Sequence, residues 1–184
     1  MIQNIYKSLN YSNLFKGFFL LVLGLTYSCK SNPSFQTRGE DSLQGTWEQE
    51  WTKEESRADN LYKTKYQLRF YCDSLYMTTQ VDTKYNYEDS HCFNGGHWTE
   101  YQKAGYSISH DTLFVEGVYA KPNFRMKISG CHHNGNFHEY YLIQTPKHPG
   151  SKSPDSLILL SPHEASPIYL HRTQKWVCVP HKLG

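Results

Sequence analysis

Helical patterning is what this 184-residue sequence lacks most. No window of eleven or more residues repeats its apolar positions at helical spacing, which leaves strands as the building element. Charge of one sign is also lacking. Nineteen Lys and Arg stand against 17 Asp and Glu, and no basic run or stripe of the kind that follows a phosphate backbone occurs, so nucleic acid is not an expected partner. Long hydrophobic runs are missing too. The longest, residues 17–25, falls well short of the roughly 20 residues that a membrane-spanning helix needs. No Gly-x-Ser-x-Gly, His-Glu-x-x-His or phosphate-binding glycine loop is present. On that ground no catalytic residue, no enzyme activity and no cofactor are expected.

The first thirty residues carry the clearest signal that is present. Lys7 and Lys16 lead into the apolar run Gly17-Phe18-Phe19-Leu20-Leu21-Val22-Leu23-Gly24-Leu25, followed by Thr26-Tyr27-Ser28 and Cys29. A charged start, a short apolar core and a small residue before the cut describe a secretory signal peptide. With a cysteine directly after the small residue, the stretch resembles the bacterial lipobox. That resemblance implies lipidation of Cys29 after removal of residues 1–28; the alternative is an ordinary signal peptide with a coincidental cysteine. Residues 29–41 then read as the lipidated residue and a flexible polar tether with an r.m.s. span of roughly 18 Å, and 42–184 as one domain. Lys30 stands where an aspartate would mark inner-membrane retention, and no acidic run of the surface-export kind follows. By analogy the expected place is the outer membrane, lipid-anchored and facing the periplasm.

Tyr, Phe, Thr and Val suit half-buried pleated surfaces, and 15% of the residues are aromatic at a mean hydropathy of −0.68. Strand-like stretches follow one another: 43–51, 66–70, 75–81, 98–108, 113–119, 124–128, 137–143, 157–160 and 168–172. Asp73-Ser74 and Asp111-Thr112 form tight turns between successive strands, and Asp155-Ser156 opens another. The expected fold is all-β: an antiparallel up-and-down barrel of eight or nine strands, whose closure removes the exposed edges. With Cys29 acylated, Cys72, Cys92, Cys131 and Cys178 remain, an even number that fits two disulfides in an exported domain. Strand parity over nine strands puts Cys72 and Cys131 at one end and Cys92 and Cys178 at the other, which predicts Cys72–Cys131 and Cys92–Cys178.

Gly45-Thr46-Trp47 in the first strand and Arg172 in the last resemble the Gly-x-Trp motif of lipocalins. There the tryptophan plugs the closed end and a late basic residue packs across it. The chain as a whole is similar to small lipocalin-like lipoproteins of the Bacteroidetes type. The matching stretches are the lipobox, Ser42-Leu43-Gln44-Gly45-Thr46-Trp47, Ser56-Arg57-Ala58-Asp59, residues 94–101 and a C-terminal Cys-x-Pro. Some members of that group are labelled fumarate hydratase. The serine-rich loop and cluster-binding cysteines of true fumarases are absent here, so fumarase activity is not expected.

On the same parity the open mouth is ringed by residues 52–64, 84–97, 121–123 and 146–155. Barrels hold ligands in such mouths, among apolar side chains and a few polar ones. The candidate lining is Trp51, Tyr66, Met77, Trp98, Tyr106, Tyr119, Met126 and Tyr141, with Glu139 as the inward polar group and Glu116 facing out. The bland alternative is that these rings only fill the barrel. His91-Cys92 with His97, and Cys131-His132-His133 with His138, look like metal-ligand sets, but the thiols suit disulfides and parity separates the two sets. No metal is expected. Asp-Ser/Thr-aliphatic recurs at Ser42, Ser74, Thr112 and Ser156, matching a Bacteroidetes O-glycosylation acceptor as well as plain turn chemistry. The leading expectation is a membrane-tethered binding module for a small apolar or aromatic ligand, or for a protein or glycan partner at the open-end loops. The second is a filled barrel that acts as a structural or inhibitory interaction protein.

Overall fold

The computed structural model describes residues 36–49, 61–86, 89–144, 155–162 and 166–182. Alternating apolar and polar residues build eight strands: β1 (Gly45–Gln49), β2 (Tyr62–Tyr71), β3 (Ser74–Thr83), β4 (His97–Ser109), β5 (Thr112–Ala120), β6 (Asn136–Gln144), β7 (Ser156–Leu160) and β8 (Ile168–Gln174). Each pairs antiparallel with the next, and β8 returns to β1 with Arg172 opposite Trp47, so the sheet is a closed up-and-down barrel. Closure needs a close approach at one point. Gly45 has a φ of +142°, and a Cβ there would lie 2.2 Å from the Gln174 carbonyl oxygen.

One end of the barrel is sealed. Trp47 is fully buried, donates Nε1–H to the Leu43 carbonyl at 2.8 Å, and carries the Arg172 guanidinium 4.3 Å from its ring centre. The Gly-x-Trp and late-arginine contact expected from the sequence is therefore present. Around Trp47 lie Leu68, Phe70, Leu75, Leu113, Val115, Leu157 and Leu159, all fully buried. Gln44 is buried among them and satisfied: its Nε2–H reaches the Cys72 carbonyl at 2.9 Å and the Tyr106 hydroxyl at 3.0 Å, and its Oε1 accepts from the Cys72 N–H at 2.7 Å. Residues 36–37 and 176–181, near the two ends of the described chain, cross this base. Gln36 N–H bonds the His181 carbonyl, the Thr37 N–H and hydroxyl bond Asp73, and Trp176 Nε1–H bonds the Phe70 carbonyl. Residues 36–41, read from sequence as the end of a flexible tether, are thus fastened to the barrel.

Two sequence expectations are corrected. Residues 124–128 are not a strand. Asn136–Gln144 already holds the free edge of β5, so their alternation finds only one bridge, Ala120 to Met126, and Ile128 is 77% exposed. Eight strands instead of nine invert every later parity. The four described cysteines are all in disulfides, but the pairs are Cys72–Cys178 at the sealed end and Cys92–Cys131 at the other.

Because the base depends on Trp47, Trp47→Ala is expected to cost about 3–5 kcal/mol, the range for removing a buried large ring. Urea unfolding checks this; a loss under 1 kcal/mol would show that the seal bears little of the stability.

Candidate functional site

Directly paired residues on antiparallel strands share a face. Buried Val81 is opposite Trp98, Thr79 opposite Glu100, Met77 opposite Gln102, and Gln102 opposite Tyr119, so all of these point inward. Phe137, Glu139 and Tyr141 alternate inward on β6. Toward the sealed end the inward residues have almost no solvent exposure. Toward the other end Trp98, Glu100, Tyr119 and Glu139 are half-buried. At the same level Val81, Thr79 and Gln102 stay buried, so the open end is partly filled and its exposed part is the Trp98, Glu100, Tyr119 and Glu139 side. The mouth is therefore polar and aromatic above a dry base.

The connection between β5 and β6 supplies the rest. His132 stacks on Trp98 with ring centres 4.2 Å apart and planes within 5°. His133 stacks on Tyr119 at 4.9 Å and 15°, and its Nδ1 lies 3.0 and 3.1 Å from the two Glu100 carboxylate oxygens. The His133 backbone N–H also donates to Glu100 at 3.2 Å. Burial raises the Glu100 carboxyl pKa, but the hydrogen bonds and charge of His133, with the charge of His132, outweigh it and hold the group below its ordinary value of 4.5. Burial and the negative charges of Glu139 and Glu100 hold the Tyr119 phenol above its ordinary 10.0, against a hydrogen bond with Gln102. Tyr141 donates its hydroxyl to Glu139.

The structure separates the residues expected from sequence. Tyr66, Met77, Trp98, Tyr119, Glu139 and Tyr141 face the interior, and Glu116 faces out as expected. Tyr106 also faces inward but belongs to the base: its hydroxyl donates to the Cys72 carbonyl at 2.7 Å and accepts from the Glu40 N–H at 3.1 Å. Met126 is exposed on the outside, because residues 121–128 fold back over the outer face, where Phe124 meets Tyr76 and Tyr101. Trp51 lies outside the described residues, as do 52–60, 87–88 and 146–154 of the expected rim. Asp155, placed in that rim, is at the sealed end beside Arg172. Sequence reading gave no role in the site to Gln102, His132 and His133. Inward alternation from Trp98 could have found Gln102, but the nine-strand count hid the histidines.

That count also separated the two His/Cys sets, wrongly. His91, Cys92 and Cys131 meet at the open end with their ligand-type atoms within 4.8 Å of one another, and the two sulfurs are joined to each other. As a disulfide they offer no thiolate to a metal. No family profile, curated protein or solved structure matches the chain, so the site is read from its own geometry.

Glu100→Gln is expected to destabilise the domain by about 1 kcal/mol, a charged hydrogen bond discounted for the exposure of His133. A folded pKa below 4.5 means that the contribution is complete above that value and is lost as pH falls through the lowered one. Urea midpoints of the two proteins should thus differ at pH 6 and converge toward pH 3. A gap that does not change with pH contradicts the assignment.

Proposed function

We propose that this chain is a membrane-tethered binding module whose open mouth takes a small ligand with a flat or apolar face. The observation that carries the reading is the split interior: closed at Trp47, and only partly buried at the other end, where Trp98, Glu100, Tyr119 and Glu139 supply aromatic and polar side chains. The sequence supports the tether, through the signal-like start and Cys29. Six residues separate Cys29 from Gln36 at the sealed end, a reach of at most about 25 Å. An acyl chain on Cys29 would therefore keep the sealed end within that reach of an outer-membrane leaflet. Ser42, Ser74, Thr112 and Ser156 all lie at this same end, and the exposed Ser42 and Ser156 are the most accessible to a glycan. On this reading the likeness to lipocalin-like lipoproteins is one of architecture, and the chain works without catalysis or cofactor.

A second reading, an interaction protein that works through its surface, is favoured by one feature. An outward cleft of about 590 Å³ runs between Thr37, Ser74, Ser107, Phe114, Glu116 and His138.

Two measurements test the proposal. Growth with an alkyne-tagged fatty acid should label the wild-type protein and leave Cys29→Ala unlabelled; equal labelling of both removes the anchor. Native mass spectrometry of the protein from its host should show a small-molecule adduct that disappears on unfolding. A bare polypeptide mass together with no binding by the mouth favours the surface reading.

A further inference from the structure

We infer that His133 sits in the seat of the ligand, and that the ligand is an organic cation: a flat aromatic group carrying a protonated amine. The inference rests on the binding-module reading and goes further by naming the ligand class. The seat itself is part of the barrel wall. Glu100 on β4 and Tyr119 on β5 are strand residues facing inward, and the Glu100 side chain is only 14% exposed. The occupant comes from a connection and is 66% exposed. An imidazole lying on a phenol ring while its N–H meets a carboxylate reproduces, within the chain, the contacts an aromatic cation makes with such a site.

The surrounding charge selects for a cation. Glu139 also faces the interior beside Tyr119, and its partner is the Tyr141 hydroxyl; among the described residues no cation lies against it. Two inward carboxylates therefore flank one ring. Among the described residues the one inward arginine, Arg172, is at the far, sealed end against Trp47. A further donor waits in the wall: Trp98 Nε1–H is buried and has no hydrogen-bond partner.

The occupant is also built to leave. His132 holds a φ of +60°, the left-handed region that Asn, Asp and His enter more readily than other side chains, and so turns the segment sharply between its neighbours. Gly130 and Gly135, both at positive φ, bracket the four residues between them, and nothing lies within 4 Å of a Cβ built at Gly135. The Cys92–Cys131 bridge and the Lys127 ammonium on the Cys131 carbonyl hold one end of that segment, and the Gly135 N–H and carbonyl, bonded to Lys127 and Tyr119, hold the other, so only the exposed residues between them can swing aside and return without unfolding. Ligand and His133 compete for one place, and the affinity observed is the intrinsic one reduced by the fraction of time the seat is vacant.

The test is calorimetric titration of the full-length protein with tryptamine as probe. Indole-3-acetate supplies the same ring with the opposite charge, and indole the ring alone. Removing the internal competitor, His133→Ala should bind tryptamine about tenfold more tightly than wild type. Glu100→Gln should weaken it by at least about tenfold, since a charged hydrogen bond is lost. Indole-3-acetate should not compete. His133→Ala binding no tighter than wild type, or indole-3-acetate binding as well as tryptamine, overturns the inference. Indole binding with no preference for tryptamine removes the cation and leaves the binding module in place. If none of the three probes binds to His133→Ala, while circular dichroism confirms its fold, both fall.

Discussion

The contact between the Arg172 guanidinium and the Trp47 ring is the constraint on which the rest of the structure depends. It joins the last strand to the first across the seam where the barrel closes. The arginine side chain is almost wholly buried, so its charge must be met locally. Asp155 lies beside it, and the Ser42 carbonyl accepts from its Nη2. A buried cation over an indole face contributes about 2 kcal/mol. It also fixes the register of the closing pair, which decides which face of every strand points inward.

A base of that kind separates the two ends of the barrel by function. Hydrophobic burial, the satisfied amide of Gln44, the Tyr106 hydroxyl and the Cys72–Cys178 bridge are all spent at one end. The other end is then free to hold groups that a core would not tolerate: two inward carboxylates, a phenol that is hard to ionise, and histidines stacked on wall residues. Polar groups part-way out of water attract a partner that supplies what they lack. At this mouth His133 meets one of the two carboxylates, and Glu139 faces the interior with the Tyr141 hydroxyl as its partner.

The sequence made the architecture legible because strand alternation, Asp-Ser/Thr turns and the Trp47/Arg172 pair are local signals with a direct physical cause. Glu139 was legible for the same reason, since it shares parity with Phe137 and Tyr141. What misled was residues 124–128, which alternate like a strand. Alternation states which faces a segment would present, not whether a partner edge is free to receive it, and the β5 edge is occupied by β6. From that one miscount followed the swapped disulfides, the misplaced Asp155 and the separation of His91 from Cys131. Tyr106 was misread for another reason. Its inward direction was correct, but the peptide oxygen of Cys72 that receives its hydroxyl belongs to a turn brought close only by folding.

Disulfide connectivity tests the account most directly, because it reads strand parity without any assumption about ligand. Peptide mapping under non-reducing conditions should return Cys72 linked to Cys178 and Cys92 linked to Cys131, one clamp at each end of an eight-stranded barrel. Recovery of Cys72 linked to Cys131 and Cys92 linked to Cys178 would contradict it, since those pairs span opposite ends of the barrel described here.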